Sequence, residues 1–325
     1  MVVLSLLRML ALLHHRAMPQ FPSILPKAIF LDSGGVINDN KLRGPQWSTL
    51  VAEYMPTTIL GGKSEHWAKA NQTFCHYMFE LGRWNELQET CHNFKEFERR
   101  YFLEWIQYMV KEVNNSEDSL SENCSLATQN IPSPTAVRIV LPEDEEAQLD
   151  IAKTANLYCL PRVKADFPGA VEAIKALKFD QGFEIYTCSG ETSTDLFHTL
   201  LSLGLLPDHQ PENQGLGKKP IFTKLFGPDL IDQSKNSSEF YKRIFQDINI
   251  RPEDALVVDD KEKILAWAKE LGAQTLLINN NPPQNLEIVD YHLHTLAELP
   301  ALTSSWKIAC KSKNTFAFAC PTDIK

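Results

Sequence analysis

Residues Ala28 to Asn40 read AIFLDSGGVINDN. The apolar run Ala28-Ile29-Phe30-Leu31 has the length of a strand buried on both faces, and it ends in one carboxylate, Asp32, followed by Gly34 and Gly35. In open parallel sheets the ligand crevice lies beyond the carboxyl ends of the strands, so an acid delivered into a glycine loop marks a candidate site.

The partners of this strand lie far downstream. From Asp166, DFPGAVEAIKALKFDQGFEIYTCSG predicts a helix behind Pro168-Gly169 and a strand, Phe183 to Tyr186, ending at Thr187. TSTDLFHTLLSLGLL is helical, IFTKLFGPDL reads as strand and turn, and SSEFYKRIFQDINI is again helical. ALVVDD is a strand ending in Asp259-Asp260, KILAWAKELGA a helix, TLLI a strand, and HTLAELPAL a last helix. This alternation predicts an α/β protein with a doubly wound parallel sheet. AIFLD supplies its missing strand, so the expected core is residues 27–40 and 165–303, interrupted by a helical cap domain over 41–164. Residues 1–26 read as a leader or extension and 304–325 as a tail.

Within the insertion, Phe97, Tyr101, Trp105 and Tyr108 recur at spacings of four, four and three, which places them on one helix face as core. Residues 114–135 shift to Ser, Asn, Glu and Pro and read as a long disordered loop. PEDEEAQLD opens a further helix, its acids favourably placed against the helix dipole.

With 325 residues, 43% of them hydrophobic, the chain can bury a full core. Its formal charge of -9 argues against nucleic acid as a partner, because phosphate-backbone binders carry excess Lys and Arg. The seven cysteines are scattered, without a CxxC pair, and read as free thiols of a reducing compartment. The N-terminal MVVLSLLRMLALLHHRAMPQ is broken by Arg8 and falls short of the roughly 20 apolar residues of a membrane span. The expectation is a cytoplasmic protein, with a mitochondrial location as the alternative; the N-terminal segment itself reads either as a mitochondrial presequence or as residues ahead of a working start at Met18.

Asp32, Thr187 and the pair Asp259-Asp260 all stand at strand ends and are expected to meet in one crevice. Three acids brought together repel unless a cation sits among them, and oxygen-only ligands suit Mg²⁺.

These segments, in this order, resemble the haloacid dehalogenase (HAD) superfamily in its helical-cap group. Asp32 in FLDSGGVI matches the nucleophilic aspartate, Thr187 in IYTCS the second motif, Lys235 in GPDLIDQSK the third, and Asp259-Asp260 in VVDD the acidic fourth. The resemblance implies a HAD-like Rossmannoid core and a Mg²⁺-dependent phosphatase acting on a small phosphorylated metabolite through an aspartyl-phosphate. It implies Asp32 and Lys235 as catalytic residues, and Asp32, the Gly34 carbonyl, Asp259 and Asp260 as metal ligands. Thr187, Cys188, Gly34 and Gly35 become the phosphate-binding positions, with Cys188 no nucleophile and the glycine loop folding its N–H groups around the phosphoryl group.

The sequence departs from the family pattern twice. Most phosphatases of the superfamily carry a general acid two residues after the nucleophile, where this chain has Gly34, and many place a metal-supporting acid where it has Ile264. The gap at Gly34 implies a slow enzyme, a substrate whose leaving group needs little protonation, or a substitute acid from the cap. The alternatives are a 2-haloacid dehalogenase, which needs no metal, and a catalytically weak HAD-like binding scaffold.

Overall fold

The computed structural model describes residues 22, 24–124, 138–206 and 220–317, without the side chains of 117–124 and 311–317. Its centre is a six-stranded sheet, all parallel, in the order β3-β2-β1-β4-β5-β6. The strands are β1 (Ala28–Leu31), β2 (Glu184–Cys188), β3 (Lys224–Phe226), β4 (Ala255–Asp259), β5 (Gln274–Ile278) and β6 (Tyr291–Leu293). β1 is central because it is apolar on both faces, as a strand covered by helices on both sides must be. Side chains alternate across the pleat. Ile29 and Leu31 face one buried cluster together with Ile185 and Val258, while Ala28 and Phe30 face another together with Tyr186 and Val257.

The chain leaves β1 through the glycine loop and enters a helical cap. Its helices are α1 (Asn40–Tyr54), α2 (Ser64–Cys75), α3 (Arg83–Thr90), α4 (Phe94–Cys124) and α5 (Glu145–Cys159). They bury a core of their own around Trp67, Phe74, Phe97, Trp105 and Met109, which is where most of the aromatic stripe of α4 goes. Asp144 caps α5, its carboxylate accepting the N–H groups of Glu146 and Ala147. Between α1, α4 and α5 lies a cavity of about 20 Å³ walled by Trp47, Tyr101, Trp105 and Asn156. Tyr101 thus belongs both to the stripe and to a cavity wall.

Back in the core, α6 (Ala170–Lys175), α7 (Ser193–Ser202) and α11 (Leu299–Ala317) pack on the Leu31 face. The Phe30 face carries α9 (Ser238–Asp247) and α10 (Glu262–Glu270); the single-turn α8 (Pro228–Ile231) precedes α9.

Two expectations are corrected, and one strand adds to them. Residues 114–124 are helical, the end of α4, and Asn114 is buried: its amide exchanges two 2.9 Å hydrogen bonds with the backbone of Ile139. Polar composition does not stop a helix already nucleated by an aromatic stripe. Residues 304–317 continue α11, since Trp306 is 0% exposed in the sheet's own core, so no tail begins at Ser304. The strand β6, too short and mixed to stand out by pattern, pairs with β5 at the sheet edge. The expectations for residues 1–21, for 125–135 and for 318–325 fall on positions outside the described residues. Among the described residues no helix is long and apolar enough to cross a membrane.

Candidate active site

Sheet register builds the site. Leu31 pairs with Thr187 on one side and Val258 on the other, so Asp32 leaves the sheet beside the ends of β2 and β4. Its N–H still donates to the Val258 carbonyl at 3.0 Å, which holds it at the strand end. One ligand oxygen from each of Asp32, Asp259 and Asp260 lies within 4.8 Å of the others.

Lys235, from the turn between α8 and α9, reaches into this group. Its Nζ donates to Asp32 Oδ1 at 2.9 Å and to Asp259 Oδ2 at 2.7 Å, and its side chain is 7% exposed. Asp259 also accepts the Lys261 N–H at 3.0 Å. Asp260 Oδ1 is buried without a hydrogen-bond partner.

Lys235 therefore bridges two of the three carboxylates, and the charge of Asp260 is opposed chiefly by Lys261. Burial, opposed by Lys235 and reinforced by Asp259, pushes Asp32 up to about 6. Burial raises Asp259 and Asp260 as well. Burial also disfavours the Lys235 charge, but Asp259 and Asp32 outweigh it and hold the lysine well above its usual value. An excess of buried negative charge with one oxygen unpartnered is what a divalent cation would relieve, so the donor set fits Mg²⁺.

The two glycines have separate tasks. Gly35 has φ +84, and a Cβ there would lie 2.4 Å from Asp260 Oδ2, so only glycine lets the loop pass over that carboxylate. Its N–H donates to the Asn38 carbonyl at 2.7 Å. This corrects the expectation that Gly35 offers its amide to a phosphoryl group: the loop has already used it. Gly34 has no such turn to make; a Cβ there would meet the side-chain amide of Asn40. Thr187 is fully buried, and its hydroxyl donates to the Phe226 carbonyl at 3.1 Å, across to β3. The Cys188 side chain points into the core on the Phe30 face, where burial pushes its thiol up, so its side chain stays out of the crevice.

No protein-family model matches the chain, and no curated protein matches it. Solved structures do. The HAD-hydrolase YfnB from Bacillus subtilis, a magnesium-bound structure, superposes at TM-score 0.55 with 14% identity, covering 86% of this chain and 100% of YfnB. The defluorinating L-2-haloacid dehalogenase Rha0230 superposes at TM-score 0.51 with 14% identity, covering 88% of this chain and 100% of its own. The chain has the HAD-like fold. At that identity the likeness extends to the fold and its inserted cap.

Around this HAD-like centre the structure brings residues that sequence reading missed. Arg43 of α1 forms an ion pair with Glu191, which follows Ser189-Gly190 at the end of β2. The pair joins cap to core. Burial opposes the Glu191 charge, but Arg43 and the hydroxyls of Ser33 and Ser189 outweigh it and keep the carboxyl below its usual range. Asp195 in the first turn of α7 accepts a 3.0 Å hydrogen bond from Asn156 of α5, and burial with Glu191 pushes it up to about 6. The buried Tyr241 lies near Lys235 and Cys188, behind the crevice. None of these carries a motif; a charged residue directly after the Ser-Gly of β2 was the only sequence signal, and it needed a partner from a distant segment.

Proposed function

We propose that the protein is a Mg²⁺-dependent phosphatase that acts on a small phosphorylated metabolite through Asp32. One observation carries this reading: three carboxylates lie within reach of one ion, Lys235 bridges only Asp32 and Asp259, and Asp260 Oδ1 is left buried and unpartnered. Asp32, Asp259, Asp260 and the Gly34 carbonyl would hold the metal, whose positive charge, when bound, offsets the repulsion between an anionic nucleophile and a phosphoryl group.

The chain's own residues supply the rest. Asp32, ionised, attacks phosphorus and forms an aspartyl-phosphate that water then cleaves, replacing one difficult displacement by two easier ones. Lys235 keeps Asp32 and Asp259 aligned and places a fixed positive charge beside the reacting oxygens. Thr187, locked to Phe226, sets the wall of the crevice at the end of β2. The cap, tied on by Arg43 and Glu191, limits water.

A second reading has its own support. Gly34 brings no acid, a halide leaves carbon without needing a proton, and Rha0230, of like fold, is a haloacid dehalogenase. It leaves the unpartnered Asp260 oxygen without a use. Purified protein offered a panel of phosphate esters and 2-haloacids, with magnesium and with a chelator, separates the two. Phosphate release that stops on chelation and in Asp32→Asn is expected. Halide release that persists in chelator, with no phosphate released, makes the dehalogenase reading the right one.

A further inference from the structure

The space beside Gly34 is filled. An ideal Cβ on Gly34 would sit 3.0 Å from Asn40 Oδ1 and 3.1 Å from Asn40 Nδ2, so the carboxamide of Asn40 stands where a side chain at position 34 would project. Asn40 is exposed and opens α1, and the approach to it is pinned. Asn38 Nδ2 donates to Ser33 Oγ at 3.2 Å, and the Asp39 N–H donates to the Ala165 carbonyl at 2.6 Å. Asp39 caps the helix through the Lys41 N–H. The cap's first residue is thereby held against the nucleophile loop. A carboxamide donates and accepts hydrogen bonds but has no proton to give up near neutral pH.

The neighbouring acids are held in place by other groups. Glu191 is ion-paired to Arg43 through Oε1, and although its Oε2 is buried without a hydrogen-bond partner, Arg43, Ser33 and Ser189 keep the carboxyl below its usual range, so it holds no proton to donate near neutral pH. Asp195 is tied to Asn156 of the cap.

On the phosphatase reading above, we propose that Asn40 occupies the general acid's place as a hydrogen-bonding, non-titrating group, and that the substrates are activated phosphoryl donors, acyl phosphates or phosphoanhydrides. The P–O bond to the leaving group breaks as the bond from phosphorus to Asp32 forms. The leaving oxygen departs with its electron pair as a carboxylate or phosphate, both stable without a proton from the enzyme. Water then attacks phosphorus, Asp32 is released as carboxylate, and the water's surplus proton passes to solvent. Asn40 orients the leaving oxygen in the first step and water in the second.

The test is the dependence of kcat/KM on leaving-group pKa, measured with magnesium on acetyl phosphate, a series of substituted phenyl phosphates and an alkyl phosphate. General acid help is worth about 10²- to 10⁴-fold, so the wild type is expected to fall by at least about 10²-fold from acetyl to alkyl phosphate. Asn40→Asp, nearly isosteric, is expected to narrow that gap about tenfold or more. The wild-type slope decides the question even where the variant fails to fold. A flat wild-type dependence overturns the proposal and leaves the phosphatase reading standing. So does a flat dependence that turns steep in Asp195→Asn, since Asp195 is then the acid. Phosphate release from none of the series overturns the phosphatase reading itself, and this proposal with it.

Discussion

At the scale of the residue, Gly35 makes the sharpest demand. Its φ of +84 and the 2.4 Å that would separate an added Cβ from Asp260 Oδ2 oppose any side chain. A left-handed conformation costs a residue with a Cβ roughly 1–2 kcal/mol, and displacing Asp260 adds to it. Gly35→Ala is expected to lower the unfolding free energy by more than about 2 kcal/mol and to weaken magnesium binding at least about tenfold. Denaturant unfolding and titration calorimetry read the two effects separately, and a stable variant that binds magnesium normally would refute the role given to this glycine. Asp32, Lys235, Asp259 and Asp260 were legible in the sequence because each ends a strand or follows one at motif spacing, and strand ends of a parallel sheet meet by topology. The role of Gly35 was only half legible. Its freedom to turn was foreseen, but the Asp260 carboxylate pressed against it and the spent amide depend on loop packing that no local pattern records.

At the scale of the element, the Arg43–Glu191 pair joins α1 to the end of β2, and each side chain is only 20% exposed. Removing one partner of such a pair leaves the other charge in the interface, a change worth about 3–5 kcal/mol, whereas removing both together is often neutral. Arg43→Met alone is therefore expected to destabilise the protein strongly, and Arg43→Met with Glu191→Leu to recover most of the loss. Thermal unfolding of the two variants checks this; a double variant as unstable as the single would mean that the pair itself, and not an orphaned charge, holds the cap. The same scale explains why the continuation of α11 past residue 303 was missed. A Ser-, Lys- and Asn-bearing segment reads as solvent-facing, yet one large side chain, Trp306, packs 4.5 Å ring to ring from Tyr291 of β6 and fixes the helix on the sheet. Trp306→Ala is expected to cost about 3–5 kcal/mol, measured by chemical denaturation, and a loss below about 1 kcal/mol would return this segment to the status of a dispensable tail.

At the scale of the whole molecule, the fold concentrates uncompensated negative charge at one end of the sheet and holds it there by burial. The cation-free protein must therefore respond to pH in a definite direction. Asp32 rises from 3.8 in the unfolded chain to about 6 in the folded one, first through burial, and Asp259 and Asp260 rise with it. Between those two values the folded state holds a proton that the unfolded state has released, so stability falls as pH climbs through the window from about 4 to about 6. Above it the carboxylates are ionised and strained by one another. A divalent cation binds that ionised form and stabilises by mass action, about 2.7 kcal/mol when its concentration is 100 times Kd. Magnesium is therefore expected to raise Tm by several degrees at about pH 7.5 and by much less at about pH 5, where protons compete for the same oxygens. Asp260→Asn, which removes the carboxylate whose Oδ1 has no partner, is expected to raise Tm in chelator at about pH 7.5 while abolishing the magnesium response. Scanning fluorimetry across pH, with magnesium or chelator, reads all of these at once and requires no substrate. A magnesium shift that is the same at both pH values, or that survives in Asp260→Asn, would mean that the ion binds elsewhere and that the three acids are held by Lys235 and Lys261 without it.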